Sequence, residues 1–459
     1  MSGRAWHAEL AWLPDLGVQR DVLIEAAGDR FTGVTPGVAT ADLPAGTTRL
    51  AGLTLPGLAN AHSHAFHRAL RGITQAGRGT FWTWRERMYE VAGRLDPDRY
   101  LSLARAVYAE MALAGITCVG EFHYLHHDVG GAPYADPNEL GRALIEAADQ
   151  AGIRICLLDT CYLSGGLGPG GDPLPLAGAQ LRFGDGDAAG WAARIDALGA
   201  DNHGMLGSHA RAGAAIHSVR AVPPDQMGPV VAWARRLGAP LHAHLSEQQA
   251  ENRACLAAYG HTPAEVLDGA GALGPRSTAV HATHLSAADI ALLGDRRSYA
   301  CFCPTTEADL ADGIGPARAL ASAGSPLTLG SDSQAVIDLL EEARRVELGE
   351  RLATRERGHF TAADLLRAAT ADGHASLGWP DAGQLAPGVL ADLVTVALDT
   401  TRTAGAAAAT ALESVIFGAS AADIRGVVAG GREIVRDGRH LLVPDVPAAL
   451  AAAVGAVLP

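Results

Sequence analysis

The residues with the clearest chemical potential are His62 and His64, which close the run Leu55-Pro56-Gly57-Leu58-Ala59-Asn60-Ala61-His62-Ser63-His64. In an extended strand alternate side chains share a face, so imidazoles one residue apart can aim their ring nitrogens at one ion. Alone, such a pair is as readily a polar loop that follows a strand. Three later segments end in the same manner: Pro240-Leu241-His242-Ala243-His244, Ala279-Val280-His281 and Leu327-Thr328-Leu329-Gly330-Ser331-Asp332. Each is an apolar run of strand length that terminates in a nitrogen or oxygen donor suited to zinc. The recurrence favours a metal site over core packing.

Such donors need a scaffold that brings strand ends together. Apolar runs of strand length recur near 53–61, 116–122, 153–161, 205–217, 240–245, 277–282, 298–304 and 326–331. Between them, segments such as Pro97 to Ala114, Asn138 to Ala151 and Pro224 to Leu237 carry the three-to-four residue apolar spacing of helices. Eight strands alternating with helices predict an α/β fold, a (β/α)8 TIM-like barrel over residues 55–383. A doubly wound open sheet is the alternative, weakened because no Gly-x-Gly-x-x-Gly follows an early strand. Residues 1–54 and 384–459 offer short strands, among them Val22-Leu23-Ile24-Glu25 and Ala391-Asp392-Leu393-Val394-Thr395-Val396, and are expected to pair into a small β-sandwich module built from both chain ends, followed by a tail. In a barrel the chemistry lies at the C-terminal strand ends, where His62, His64, His244, His281 and Asp332 all fall, on strands one, five, six and eight.

Composition removes several classes of function. The 459 residues are 48% hydrophobic with a net charge of -14, enough apolar material for a large core and a balance unsuited to nucleic acid or an anionic membrane. No leader-like or membrane-length apolar segment is apparent, so a cytoplasmic protein is expected. Six cysteines without CxxC spacing read as buried reduced thiols, Cys301 and Cys303 alternating along the seventh strand. All 36 basic residues are arginine. Without an ε-amine there is no P-loop, Schiff base or pyridoxal phosphate chemistry.

The order of these motifs resembles the amidohydrolase superfamily: His-x-His after strand one, His after strands five and six, Asp after strand eight. Within it, the segments His62-Ser63-His64-Ala65-Phe66, Phe81-Trp82-Thr83-Trp84-Arg85, Glu121-Phe122-His123-Tyr124-Leu125-His126-His127, His217-Ser218-Val219-Arg220, His244-Leu245-Ser246-Glu247-Gln248 and Thr306-Glu307-Ala308-Asp309-Leu310 resemble the formimidoylglutamate deiminases. Members carry Gln where this chain has His67, and Asn where it has Asp309. The resemblance implies hydrolysis of N-formimino-L-glutamate to N-formyl-L-glutamate and ammonia, a step of histidine degradation. A deaminase of an aromatic base such as guanine or cytosine is the competing reading; it would want stacking rings, and the chain is only 5% aromatic. A barrel kept only for binding is a third, at odds with the presence of Glu247, His281 and Asp332 together.

Many superfamily members bridge two metals with a carboxylated lysine, which this chain cannot supply. The resemblance therefore implies one divalent ion held by His62, His64, His244 and Asp332; the donor set suits Zn²⁺, with Fe²⁺ or Mn²⁺ compatible. It implies Asp332 as the group that takes the proton of water, His281 as the group that steadies the tetrahedral centre, and Glu247 as the proton donor to the departing nitrogen. Glu247 could also serve as a helix N-terminal carboxylate. His67, Arg85, Tyr124, His217 and Arg220 become the clamp for a small anionic, amino-acid-derived substrate, arginine forks being matched to carboxylates. His123, His126 and His127 are expected in a solvent-exposed loop, and a homodimer is expected.

Overall fold

The computed structural model describes residues 3–168, 170–199 and 206–458, the side chains of Phe81 and Trp82 excepted. Eight strands pair in chain order, each parallel to the next: β5 (Leu58–Ser63), β6 (Ile116–His123), β7 (Arg154–Cys161), β8 (Ala210–Ile216), β9 (Leu241–Leu245), β10 (Ser277–His281), β11 (Tyr299–Phe302) and β12 (Leu327–Leu329). Every residue of β5, β6 and β7 is buried, as expected of strands covered on both faces. Helices cover the outside, among them Pro97–Leu113, Glu139–Ala151 and Met227–Leu237. The first starts where its sequence signals it: Asp96 accepts from the amide of Arg99 at 2.8 Å and Pro97 occupies the first turn. Hydrogen bonds between residues just past β5 and β12 close the ring: His64 N donates to Asp332 O (3.2 Å) and Asp332 N to His62 O (3.0 Å). The open-sheet alternative is thereby set aside.

The apolar run expected over 53–61 is two strands in two sheets. Thr48–Pro56 forms β4 of a second sheet, and the barrel begins at Leu58. Gly57 lies between, where a Cβ would stand 2.5 Å from Oγ1 of Thr117 and 2.8 Å from Cβ of Asp392, so a side chain would force the two sheets apart. The expected run over 205–217 shortens to Ala210–Ile216, and its residue 205 falls outside the described residues.

The second sheet contains β1 (Arg4–Leu13), β2 (Gly17–Ala27), β3 (Arg30–Thr35), β13 (Leu393–Val396), β14 (Ile424–Ala429), β15 (Arg432–Arg436) and β16 (Arg439–His440). Its order is β16-β15-β14-β13-β4-β1-β2-β3, so β4 joins the strands of the two chain ends. It encloses its own apolar cluster, including Trp6, Val22, Ile24, Phe31 and Leu393. The C-terminal helix Val446–Val457 returns to the barrel, with Val446 against Ala109. No helix among the described residues is long and apolar enough to cross a membrane. All six cysteines are free and buried, and Cys301 and Cys303 cluster with Ala61 and Val280.

A buried ion pair, Arg154 with Asp392, ties β7 to the second sheet; Asp392 also accepts from the amide of Gly430 at 2.7 Å. Removing one partner strands the other charge out of water. Asp392→Ala is expected to cost about 3–5 kcal/mol in chemical denaturation, against under ~1 kcal/mol for a surface pair such as Arg87 with Glu90.

Candidate active site

Strand ends deliver the donors into one cluster. Nε2 of His62 lies 3.2 Å from Nε2 of His244 and 3.4 Å from Oδ1 of Asp332, and Nε2 of His64 is 3.5 Å from the same carboxylate oxygen. Tetrahedral zinc with bonds near 2.0–2.1 Å sets its donors roughly 3.3 Å apart. Nδ1 of His64 is 3.0 Å from the carbonyl of Phe122 and Nδ1 of His244 is 2.9 Å from that of His217. Donation to these carbonyls places the hydrogen on Nδ1 and leaves the Nε2 lone pairs facing inward. Burial pushes His62, His64 and His244 below the usual histidine range, so the rings are neutral and available as ligands. For Asp332 burial acts upward, but the imidazoles of His62 and then His281 outweigh it and hold the carboxyl below its usual range. A donor set of three neutral imidazoles and a carboxylate fits one divalent cation.

The backbone bends to make this possible. Ser246, His281, Ala282, Asp332 and Gln334 have φ of 50°, 68°, 48°, 45° and 60°, in the left-handed region that side-chain-bearing residues rarely adopt. All five follow or end β9, β10 and β12. Such strain persists only where the surroundings enforce it. Here Asn60 and Ser331 exchange two hydrogen bonds (2.7 and 2.9 Å), Ser331 donates to Gln334, Gln334 to Ser63, and Ser63 to Glu121. Glu121 also accepts from the amide of Ala65, and burial lifts its carboxyl to about 7.

His281 faces Asp332, its Nε2 3.8 Å from Oδ2. Its other nitrogen is 3.3 Å from Oε1 of Glu307, which also accepts from the amide of Cys303. Burial would lower this histidine, and the contacts with Glu307, Glu247 and Asp332 raise it instead. From the sequence, Glu307, at the start of helix Pro304–Asp309, is expected only to line the barrel mouth with Thr305 and Thr306; its partnership with His281 was not legible there.

One cavity is lined by every residue expected to bind the metal, carry out the hydrolysis or clamp the substrate except His62, which is wholly buried beside it. Elsewhere in the lining, Nη2 of Arg220 donates to Glu247 at 3.4 Å, and Nε of Arg85 to the hydroxyl of Tyr89 at 2.6 Å. Tyr124 and His67 share a 2.9 Å hydrogen bond, and the ring of His217 packs on Tyr162. Burial pushes His67 down to about 3 and His217 well below the usual range. Trp84, Met88, Tyr89, Tyr162, Phe183 and Leu310 complete the lining; of these Tyr89 could have been found, four residues past Arg85 on helix Phe81–Ala92. The Trp82 side chain, expected beside Arg85, lies outside the described residues.

His123, His126 and His127 are not exposed, contrary to expectation: they are buried in an ionic network. His126 Nε2 contacts the carbonyl of Thr160 (2.9 Å) and His127 Nε2 meets Asp185 (3.0 Å). Arg194 pairs with both oxygens of Asp159 at 2.8 Å and with Asp185 at 2.8 Å. Remote in sequence, these charges can be buried only together, and the guanidinium occupies Asp159 against any cation.

The amidohydrolase family model matches residues 53–434. The formimidoylglutamate deiminase of Pseudomonas aeruginosa is 38% identical over 449 residues, 95% of each chain. Among solved structures, an amidohydrolase from Brucella melitensis superposes with a TM-score of 0.90 at 32% identity, covering 99% of this chain and 100% of that one. A zinc-bound adenosine deaminase from Xanthomonas campestris, 24% identical, gives 0.82 over 98% and 97%.

Two outcomes test the site. Chelation is expected to remove about one equivalent of metal per chain and lower the melting temperature, read by elemental analysis and calorimetry; a metal-free preparation with unchanged melting contradicts the centre. In the ionic network Asp159 and Asp185 both sit below their usual range: burial opposes the shift, and Arg194 outweighs it at Asp159, as His127 and Arg194 do at Asp185. A depressed carboxylate adds stability that is complete above its unfolded value, about 4, and is lost as pH falls through the folded value. Arg194→Met should therefore destabilise most near neutral pH, with the gap to wild type closing below about pH 4 in urea titrations.

Proposed function

The chain belongs to the amidohydrolase family, and from that premise we propose that it hydrolyses N-formimino-L-glutamate to N-formyl-L-glutamate and ammonia. The observation that carries the reading is the joint lining of a single cavity, in which His64, His244 and Asp332 of the cluster share the wall with Arg220 and Arg85. A formimino group needs the cluster and glutamate carboxylates need the arginines. The identity with the Pseudomonas aeruginosa formimidoylglutamate deiminase across nearly the whole chain supports the same assignment.

His62, His64, His244 and Asp332 would hold one divalent ion, zinc by donor type, which when bound supplies a Lewis acid able to make water nucleophilic near neutral pH. Asp332 takes the proton of the attacking water. His281, held by Glu307, hydrogen-bonds to the oxygen as carbon becomes tetrahedral. Glu247 protonates the departing nitrogen, and both hydrogens of the water reach that nitrogen by way of Asp332 and Glu247, so ammonia leaves, the formyl group stays and both carboxylates are regenerated. Arg220, Arg85, Tyr124, His217 and His67 hold the substrate's carboxylates and backbone. A cytoplasmic homodimer belongs to the same proposal.

The base-deaminase reading gains rings from Trp84, Tyr89, Tyr124, Tyr162 and Phe183. It lacks amide readout, since among the described residues no Asn or Gln lines the cavity. Ammonia release from N-formimino-L-glutamate, guanine, cytosine and adenosine separates the two, and turnover of a base in preference to the first ends this proposal. Glu247→Gln should lower kcat by roughly 10²–10⁴ while metal content and KM change little; full activity in that variant removes Glu247 from the mechanism.

A further inference from the structure

Two carboxylates share one guanidinium at the cavity wall. Nη2 of Arg220 donates to Oε2 of Glu247 at 3.4 Å, and its Nε stands 3.5 Å from Oε2 of Glu251. Glu251 opens helix Gln249–Tyr259 and is 1% exposed, yet no step of the hydrolysis uses it. Burial pushes its carboxyl up to about 6, with Arg220 pulling the other way. A carboxylate taken this far from water is held there by a partner of opposite charge.

We infer that Glu251 is a positioning residue, which holds Arg220 through Nε and leaves the Nη edge to exchange Glu247 for a substrate carboxylate. The inference rests on the reading of the cavity as a formimino-glutamate site. An arginine fork grips a carboxylate best with two parallel N–H groups, and that grip is complete only when Glu247 releases Nη2. One ion pair is exchanged for another and no covalent bond changes. Release frees the Glu247 carboxyl to turn toward the departing nitrogen. A substrate with the carboxylate therefore both docks and unties the proton donor, while a formamidine without it leaves Glu247 bound to Arg220. Substrate selection then appears in kcat as well as KM. Glu251 sets this by fixing the guanidinium, so that the fork meets the substrate instead of following Glu247.

Glu251→Ala and Glu251→Gln are to be compared on N-formimino-L-glutamate and on N-propylformamidine, which carries no carboxylate. Glu251→Ala should lose about tenfold or more in kcat/KM on the first and stay within about twofold on the second. Glu251→Gln should fall between, since it keeps an oxygen beside Nε without the charge. Equal losses on both substrates, or unchanged selectivity, overturn the inference. Melting temperature and metal content identify an unfolded alanine variant, in which case the selectivity of Glu251→Gln decides alone. If the wild type is inert on formimino-glutamate, the functional reading fails instead. Calorimetric binding of glutarate to wild type and Glu251→Gln then decides the inference, equal affinity refuting it.

Discussion

Closure of the barrel and assembly of the histidine–aspartate cluster are one event. The seam between β12 and β5 is made by backbone hydrogen bonds of Asp332 with His62 and His64, three of the four residues proposed to hold the ion. The cluster cannot loosen without opening the ring, and the ring cannot close in another register without moving the carboxylate off the imidazoles. The side-chain relay from Asn60 through Ser331, Gln334 and Ser63 to Glu121 locks that register, and it stabilises left-handed backbone at Asp332 and Gln334 that costs about 1–3 kcal/mol per residue.

Charge is partitioned along the same cavity. Burial keeps the ligand imidazoles neutral, so the histidine end offers lone pairs instead of positive charge. Fixed cations stand in the same lining, where Arg220 is met by Glu247 and Glu251. The carboxylates of the proposed substrate would be drawn to the arginines, and its neutral or weakly basic end left for the histidine cluster. Since the chain has no lysine, all fixed side-chain positive charge is carried by planar forks.

The cluster was legible because it depends on local spacing at strand ends. His62, His64, His244, His281 and Asp332 each end an apolar run, and the barrel turns eight such ends into one rim. The split at Gly57 was not legible, because Leu53 to Ala61 is mostly apolar on both sides of it; the approach of Thr117 and Asp392 separates β4 from β5. The burial of His123, His126 and His127 was hidden for a similar reason. Their partners Thr160 and Asp185 lie 34 and 58 residues away in the chain, and a polar run looks like a loop until its counter-charges are known. Glu307 and Glu251 escaped for want of pattern, as each acts on a residue contributed by another strand end.

Two imidazoles of the cluster, His64 and His244, are oriented by main chain. Nδ1 of His64 and of His244 is fixed by the carbonyls of Phe122 and His217, groups that every residue type supplies. Many metal sites use a carboxylate for this purpose, and a single substitution then disturbs the ligand. Here the direction of each ring follows from the positions of β6 and of the residue after β8, so it tolerates changes of neighbouring side chains and is sensitive to strand displacement. His217 illustrates the economy: its carbonyl aims a ligand while its ring faces the cavity. Cavity-lining side chains such as His67 can therefore vary without altering the geometry of the histidine–aspartate cluster. The cavity surface and the cluster are set by different atoms of the same strand ends.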